Sequence, residues 1–379
     1  MRIGFISTYP PIECGIATYT KYLSDSLMKL HNEVYIVSHQ GGSGKNVFPA
    51  FDYEDPDLPD KAFSTMMRFT PDVVHIQHEF GLYGKHFGVS VIPLICKFKL
   101  TDIPVVTTLH TVYPQIKREH EIILQSIISH SNYIIVHEEY QKKAITDTFK
   151  KISTNHIKVI PHGARTIKPI QNAKKILGLP EDKKILLLIG YFRPSKNFEQ
   201  IIELMPEIIK KVPEAILVVA GKIRGTEHAD YRNKLFKLIN NSPVKEHIYL
   251  IRGQLPQETF DTILSAADLV ALPYKITSQS GIMAHCLAMG KPMVVSGTDS
   301  MKDIIERSGA AVACNSNNDY INNIAKIFKD DDFAKELSKN AVNYVKNNIA
   351  WDIIAKKHQE LYSSIISIPP INTNIIFVD

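Results

Sequence analysis

The feature that most constrains the fold of this chain is a repeated alternation between short apolar runs and segments with helical periodicity. The runs are rich in Ile and Val and lack polar alternation, which is typical of strands covered on both faces. In the first half, strands are predicted over 2–7, 33–38, 72–77, 105–109, 133–137 and 157–161. In the second half, they are predicted over 185–189, 215–220, 248–252, 269–273, 292–296 and 311–313. This pattern predicts an α/β fold with two doubly wound parallel sheets.

Helical segments lie between many of these runs. They are predicted over 17–30, 139–150, 198–211, 229–240, 257–266, 281–289, 317–329, 333–347 and 351–364. The segment 163–171 has no periodic pattern and is the predicted linker. We expect an N-terminal domain over 1–165, a C-terminal domain over 172–350, and a helix and tail over 351–379 that packs back toward the N-terminal domain. Because open parallel sheets bind ligands at the carboxyl ends of their strands, the predicted site is the cleft between the domains.

Composition excludes several classes of protein. Lys and Arg number 44 against 39 Asp and Glu, and this net charge of +5 lacks the dense basic surface of nonspecific nucleic-acid binders. The four cysteines lie far apart without a C-x-x-C pair, which favours a reducing compartment over a disulfide framework. No signal peptide is recognisable, and the longest apolar runs fall short of the roughly 20 residues of a membrane span. We therefore expect a cytoplasmic protein with no nucleic-acid partner.

The most specific motif is a pair of cations at the end of a predicted strand. The sequence Gly190-Tyr-Phe-Arg-Pro-Ser-Lys-Asn197 places Arg193 and Lys196 three residues apart, directly before a helix. A guanidinium fork and an ammonium point charge together suit a diphosphate leaving group. The alternative interpretation is a solvated pair of cations.

Two helix starts offer further groups that bind anions. Gly15 lies at the start of the first helix, and Ser280 and Gly281 open the helix predicted over 281–289. Free N–H groups at a helix start bind phosphate, and glycine lets a ligand approach the backbone closely. An ordinary strand–helix turn and a plain serine N-cap would look the same. The second helix start shares a domain with Arg193 and Lys196, and this coincidence favours a phosphate site.

Polar residues also end two strands of the N-terminal domain. His110 follows the strand 105–109, and His78 and Glu79 follow the strand 72–77. We expect all three to face the cleft, although a lone histidine is more often a structural hydrogen-bonding group.

Together these motifs resemble the retaining, nucleotide-sugar-dependent glycosyltransferases of family 4, which have the GT-B fold of two Rossmann-like domains facing each other across a cleft. The resemblance covers nearly the whole chain. It is carried by CGIATY at 14–19, VHIQHEFG at 74–81, VTTLHT at 106–111, VIPHG at 159–163, GYFRPSKN at 190–197, ALPY at 271–274, GKP at 290–292 and the Trp351 helix. The first three segments are similar to a mannosyltransferase-like branch, which favours a mannose donor.

The resemblance implies roles for matching residues. Arg193 and Lys196 would bind the donor diphosphate and stabilise it as it leaves, and Gly15 would let the first loop approach it. His110 would contact the donor sugar near the reacting centre. The other residues implied on the donor side are Arg252 and Gly253, whose backbone would hold the base, and Ser278, Ser280, Gly281 and His285. The acceptor would lie near Glu13, His78 and Glu79.

One departure concerns two glutamates that the family often carries seven residues apart, one on the donor sugar and one on the ribose. Counted back from Gly290, the second falls at His285 and the first at Thr277, or at Ser278 with a loop one residue shorter. None of these residues is acidic. The change therefore affects recognition of ribose and sugar hydroxyls rather than phosphate binding. His285 either bonds a ribose or has a packing role.

The implied reaction transfers a hexosyl group from a nucleoside-diphosphate sugar to a glycan, lipid-linked or small-molecule acceptor, with retention of configuration. No metal or other cofactor is expected, because two cations and a helix start neutralise the leaving diphosphate. Two alternatives stay open: a nucleotide-sugar-binding module that has lost catalysis, which the missing glutamates motivate, and a GT-B epimerase that acts on the donor alone.

A lipid-linked acceptor would bring the protein to the inner face of a membrane. Solvated helix faces explain the basic residues of the N-terminal domain equally well, and these residues are Lys117, Arg118, Lys142, Lys143, Lys150 and Lys151. The base, the sugar, the acceptor, the linkage and the oligomeric state stay open.

Overall fold

A computed structural model describes residues 1–223, 228–253, 255–275 and 281–366. Within them the chain forms two parallel sheets, which confirms the predicted α/β class with two doubly wound domains. Both faces of each sheet are buried. In the strand Lys184–Ile189, for example, Leu187 belongs to one apolar core and Leu188 to the core on the opposite face. Burial on both faces explains why these strands read as continuous apolar runs.

The N-terminal sheet has seven strands. They are β1 Arg2–Ser7, β2 Glu33–His39, β3 Val47–Phe51, β4 Val73–His78, β5 Val105–Leu109, β6 Tyr133–Val136 and β7 Ile157–Val159. Their order across the sheet is β3–β2–β1–β4–β5–β6–β7. The helices of this half are α1 Gly15–Lys29, α2 Leu58–Met67, α3 Lys85–Gly88, α4 Val91–Leu100, α5 Arg118–His130 and α6 Glu139–Thr148.

The C-terminal sheet has six strands. They are β8 Lys184–Ile189, β9 Ala215–Gly221, β10 Ile248–Arg252, β11 Leu269–Leu272, β12 Met293–Ser296 and β13 Ala311–Cys314, in the order β10–β9–β8–β11–β12–β13. The helices are α7 Ala173–Ile176, α8 Phe198–Lys211, α9 Ala229–Asn240, α10 Gln257–Ala266, α11 Gly281–Ala288, α12 Asp299–Ser308, α13 Asn317–Lys329, α14 Asp331–Tyr344 and α15 Trp351–Ser363. Two 3₁₀ turns cover Pro194–Lys196 and Lys245–His247, and a π-helical turn covers Val345–Ile349.

Strand order reverses at the middle of each sheet, where β1 lies beside β4 and β8 lies beside β11. Ligands of open parallel sheets bind outside the carboxyl ends of the strands at such a reversal. The segments that follow these four strands carry Gly15, Glu79, Arg193 and Gly281. The topology therefore places the residues of the predicted site around two facing sheet edges.

The two halves are linked by the chain crossing between the sheets and by the last helix. Ala164 forms an isolated parallel bridge with Ala350, and its N–H donates to the carbonyl of Ile349 at 2.7 Å. Helix α15 then lies against the N-terminal half, where Ile354 and Tyr362 share an apolar core with residues of α1. Ile365 and Ile366 pack on the same core, and the predicted tail beyond them, 367–379, lies outside the described residues.

None of the helices within the described ranges combines the length and the apolarity that crossing a membrane requires.

Candidate functional site

A cavity of about 500 Å³ lies between the two halves of the molecule. The N-terminal half supplies Cys14, Gly15, Ile16, Thr18, Tyr19, Tyr22, Glu79, Gly81, Leu82, His110 and Thr111. The rest of the lining is His162, Gly163, Ala164, Arg165, Arg193, Gln257, Gly281, Ala284, His285 and Trp351. The predicted residues Gly15, Glu79, His110, Arg193, Gly281 and His285 are thus brought together on one cavity.

Arg193 and Lys196 lie in the turn that follows β8. Arg193 is extended and precedes the 3₁₀ turn Pro194–Lys196, so the proline ends the strand geometry and starts the turn. Arg193 lines the cavity, whereas Lys196 is not part of its lining and holds its Nζ 3.5 Å from the ring centre of Tyr274. Burial and the neighbouring charge of Arg193 lower the pKa of Lys196 to about 7.

Neither cation is neutralised within the described part of the chain, where no carboxylate lies within ion-pair distance of Arg193 or Lys196. The nearby Lys275 differs, because its Nζ pairs with Glu199 at 3.1 Å. Two adjacent cations without a carboxylate form an electropositive site that favours a multiply charged anion.

Two glycines let the ends of β8 and β9 approach each other. A Cβ at Gly221 would lie 1.9 Å from the carbonyl oxygen of Gly190, and Gly190 has φ +136°. A side chain at Gly221 would therefore displace the backbone that leads to Arg193, and a side chain at Gly190 would strain a backbone conformation that favours glycine.

Helix α11 directs its first turn toward the cavity. Gly281 lines the cavity and is exposed, and a Cβ built there would have no heavy atom within 4 Å. The helix start can therefore receive a ligand without a steric obstacle from this residue. The other predicted residues of this turn, Thr277, Ser278 and Ser280, lie outside the described residues.

His110 lies at the cavity wall with 7 % of its surface exposed. Its Nε2 lies 2.8 Å from the Oε1 of Gln77, and its ring meets the edge of Tyr19 at 4.8 Å between centroids. Burial, reinforced by neighbouring histidines beginning with His137, holds the pKa of His110 well below its usual value of 6.5. The ring is therefore neutral at physiological pH.

The three residues predicted to lie on the acceptor side differ in placement. Glu79 lines the cavity, and its Oε2 accepts the N–H of Gly81 at 2.7 Å. Glu13 pairs across the domains with Lys222, with Oε2 and Nζ 2.7 Å apart. The prediction that His78 faces the cleft is wrong, because His78 is fully buried, does not line the cavity, and stacks on Tyr83.

His285 faces the cavity and contacts a residue that sequence reasoning missed. Its Nδ1 lies 3.5 Å from a guanidinium nitrogen of Arg165, and burial, followed by the Arg165 charge, lowers its pKa to about 4. Arg165 forms a bidentate ion pair with Asp261 at 2.6 and 3.0 Å. The position of Arg165 in the predicted linker between two sheets was the available signal.

Arg252 and Gly253 lie at the end of β10, exposed and outside the cavity lining. The guanidinium of Arg252 lies over the ring of Phe236 at 5.1 Å. The described residues contain no group of three or more His, Cys, Asp or Glu side chains arranged to hold a metal ion.

Comparison with known proteins accounts for both halves of the chain. The family model "Glycosyltransferase Family 4" matches residues 14–167, and "Glycosyl transferases group 1" matches residues 169–344. An alpha-monoglucosyldiacylglycerol synthase of Acholeplasma laidlawii is 24% identical, with 97% of this chain and 98% of that protein covered.

Solved structures share the two-domain fold. A sucrose-phosphate synthase of Thermosynechococcus elongatus superposes with a TM-score of 0.78 at 16% identity, over 96% of this chain and 99% of that chain. The Anabaena protein HepE, in complex with UDP, superposes with a TM-score of 0.76 at 14% identity, over 96% and 100% of the two chains. These likenesses confirm the GT-B fold that the sequence predicted.

Proposed function

Since this chain is a glycosyltransferase of the GT-B type, we propose that it transfers a hexosyl group from a nucleoside-diphosphate sugar to an acceptor hydroxyl, with retention of configuration. The observation that supports the proposal is the adjacent pair Arg193 and Lys196, of which Arg193 lines the cavity and neither has a carboxylate partner among the described residues. A diphosphate supplies the negative charge that this pair lacks. The UDP bound in the HepE structure supports a nucleotide ligand.

In the proposed reaction, the bond between the anomeric carbon and the diphosphate breaks and negative charge grows on the leaving group. Arg193, Lys196 and the start of α11 at Gly281 are fixed before the reaction and favour that charge, which is electrostatic stabilisation of the transition state. Two cations and a helix dipole supply the neutralisation that a divalent metal provides in other transferases. We therefore expect turnover to be insensitive to EDTA.

In the N-terminal half, we assign the contact with the donor sugar to His110. It reaches the cavity from the domain opposite Arg193 and is held neutral by burial. A neutral imidazole hydrogen-bonds a sugar hydroxyl without repelling the positive charge that develops at the anomeric carbon. An imidazolium at this position would oppose that charge.

The acceptor is proposed to enter beside Glu79 on the N-terminal side of the cavity. Phe87 and Val89 are 44 % and 40 % exposed, and the ring of Phe87 meets that of Phe80, the residue after Glu79, at 6.5 Å. Exposed apolar side chains on the segment that follows Glu79 favour a lipid-linked acceptor over a free glycan. The name of the Acholeplasma relative, a diacylglycerol glycoside synthase, supports the same class, and such an acceptor would place the enzyme at a membrane surface.

The test is product formation by the purified full chain, with UDP-glucose and GDP-mannose as donors and detergent-dispersed diacylglycerol, a lipid-linked glycan and a free glycan as acceptors. The mannosyltransferase-like motifs favour GDP-mannose, whereas the UDP complexes of HepE favour UDP-glucose. We expect Arg193→Ala to lower kcat about 10²–10³-fold, as does the loss of one oxyanion donor.

Arg232→Ala is the matched control, because Arg232 is a partly exposed arginine of α9 that contacts Asn233 and does not line the cavity. Near-normal turnover of Arg193→Ala would contradict the proposed role of the cation pair. Conversion of the donor without any acceptor would indicate an epimerase instead.

A further inference from the structure

A chain of hydrogen-bonded side chains extends from the cavity wall into the N-terminal sheet. His110 Nε2 lies 2.8 Å from Gln77 Oε1, and Gln77 Nε2 lies 3.2 Å from His75 Nε2. His75 in turn lies 2.6 Å from the hydroxyl of Tyr362 and 2.7 Å from that of Thr108. Behind His110, every member of this chain is fully buried.

The sheet topology explains why these side chains meet. Gln77 is on β4 and pairs in parallel register with Thr108 on β5, so the residue that follows β5, His110, comes beside it. The N–H of His110 also donates to the carbonyl of His78 at 3.0 Å. The backbone thus fixes His110 next to Gln77, and the side-chain bond then fixes the ring.

The chemistry of the amide determines which nitrogen of His110 carries the proton. An amide oxygen only accepts hydrogen bonds, so the His110 nitrogen that faces Gln77 Oε1 is the donor. A neutral imidazole has one N–H, and Nδ1 is therefore left as an acceptor. The Gln77 amide nitrogen faces His75 Nε2, and this arrangement assigns the His75 proton to Nδ1, which lies 2.6 Å from the Tyr362 hydroxyl.

We propose that Gln77 is a positioning residue that holds the His110 proton on Nε2 and so presents Nδ1 as an acceptor to a hydroxyl of the donor sugar. The inference rests on the proposed function, because it assumes that His110 contacts the sugar. A lone pair directed at the sugar tolerates positive charge at the anomeric carbon, whereas an N–H in the same place opposes it.

Two substitutions of Gln77 test the inference. Gln77→Leu removes the acceptor, and we expect kcat to fall about 10–100-fold, as when the partner that orients a metal-bound histidine is lost. The donor KM should change less than about 3-fold, because the cation pair that binds the diphosphate is untouched. In a long-range ¹H–¹⁵N spectrum, assigned with His110→Ala, the Nε2–H form of His110 should give way to a mixture of tautomers.

Gln77→Glu is the conservative variant. Its carboxylate still accepts from Nε2–H, so the spectrum and part of the turnover should be restored relative to Gln77→Leu. A negative charge beside the imidazole favours its protonated form and raises the pKa of His110. The active form is the neutral one, so the acidic limb of the kcat profile should move to higher pH by about one unit or more.

Tyr83→Phe is the control for the loss of a buried hydrogen bond to strand β4, which carries Gln77. The Tyr83 hydroxyl lies 2.9 Å from the carbonyl oxygen of Ile6 and 3.0 Å from that of Gln77, and neither of these hydrogen bonds involves the Gln77 side chain or His110. This variant should lose stability while keeping wild-type kcat per folded molecule and the Nε2–H form of His110.

The outcomes separate this inference from the proposed function. Two results for Gln77→Leu would overturn the positioning role of Gln77. One is an unchanged Nε2–H form of His110. The other is a loss of stability like that of Tyr83→Phe with no loss of kcat. If Gln77→Leu fails to fold, an unshifted acidic limb in Gln77→Glu overturns it. Full turnover of His110→Ala would instead contradict the proposed contact between His110 and the donor sugar. The spectrum of Gln77→Leu does not depend on that contact.

Discussion

Lys196 is the residue whose charge should depend most on the ligand. Burial and the charge of Arg193 lower its pKa to about 7, while the face of Tyr274 lies 3.5 Å from its Nζ. A bound diphosphate favours the charged ammonium and raises that pKa. Binding above pH 7 therefore takes up a proton, and the Kd of a nucleoside diphosphate should rise with pH, by up to about tenfold per unit.

Isothermal titration of UDP and GDP in two buffers of different ionisation enthalpy measures this uptake directly. We expect nearly one proton per UDP or GDP near pH 8.5 in the wild type and none in Lys196→Met. Lys234→Met is the control, because Lys234 is half-exposed and pairs with Glu199 at 3.5 Å. Undiminished uptake in Lys196→Met would show that another group titrates.

The site could be predicted from the sequence where its residues are close along the chain. Arg193 and Lys196 share one turn after an apolar strand, so both residue type and location were visible. Arg165 and Gln77 were not recognised because their roles depend on contacts 96 and 33 positions away, with Asp261 and His110. His78 was misplaced because every residue of β4 is buried, so a position at the end of this strand does not show whether the side chain reaches the cleft.

At the scale of elements, the contact between Gly163 and helix α15 determines one wall of the cavity. A Cβ at Gly163 would lie 2.4 Å from Cδ2 of Trp351, and both residues line the cavity. The indole is rigid and also packs against Tyr19 at 5.1 Å, so it has little room to move. Gly163→Ala should destabilise the protein by about 1–3 kcal/mol, which is typical of overpacking.

Chemical denaturation measures that loss, and Gly15→Ala provides the comparison for stability. A Cβ at Gly15 meets no heavy atom within 4 Å, so this variant should unfold at the wild-type denaturant concentration. Equal stability of the two variants would show that the chain at Gly163 relaxes without cost.

Most strands could be predicted because burial on both faces leaves uninterrupted Ile and Val runs. Strand β3 was missed because it is an edge strand that contains Pro49 and has only Val47 and Phe51 buried. Its pairing with β2 is irregular after Ser38, which weakens the pattern further. The predicted helices also leave out α2, α4, α5 and α12 and the four-residue helices α3 and α7.

Among the ion pairs that join the two halves of the molecule, two differ strongly in how far their side chains are exposed. Glu13 and Lys222 have 46 % and 31 % of their side chains exposed, so solvent screens this pair and its contribution is small. Glu138 and Arg307 lie 3.0 Å apart, and only 6 % of the Glu138 side chain is exposed. The exposed pair adjoins the loop of Cys14 and Gly15 at the cavity, and the buried pair lines a small neighbouring cavity that shares His162 and Ala284 with it. Beside the cavity, the bidentate pair of Arg165 and Asp261, whose side chains are 14 % and 15 % exposed, adds a third contact.

The buried pair makes stability depend on pH. Burial raises the pKa of Glu138 to about 8 against the opposing charge of Arg307, while the unfolded carboxyl titrates near 4.5. A pKa that folding raises contributes stability below pH 4.5, and that contribution is lost as the pH rises through 8. Glu138→Gln removes the titration but keeps the oxygen that caps α6. The Tm of Glu138→Gln relative to that of the wild type should therefore increase by about 2–4 °C as the pH rises from 6 to 9.

Glu139→Gln is the matched control for this gain, because Glu139 is exposed at the same helix start. A carboxylate in water is ionised throughout pH 6–9, so the Tm difference between Glu139→Gln and the wild type should stay constant. A constant difference for Glu138→Gln as well would mean that Arg307 keeps Glu138 ionised in the folded protein. The ion pair would then stabilise the domain contact at every pH in this range.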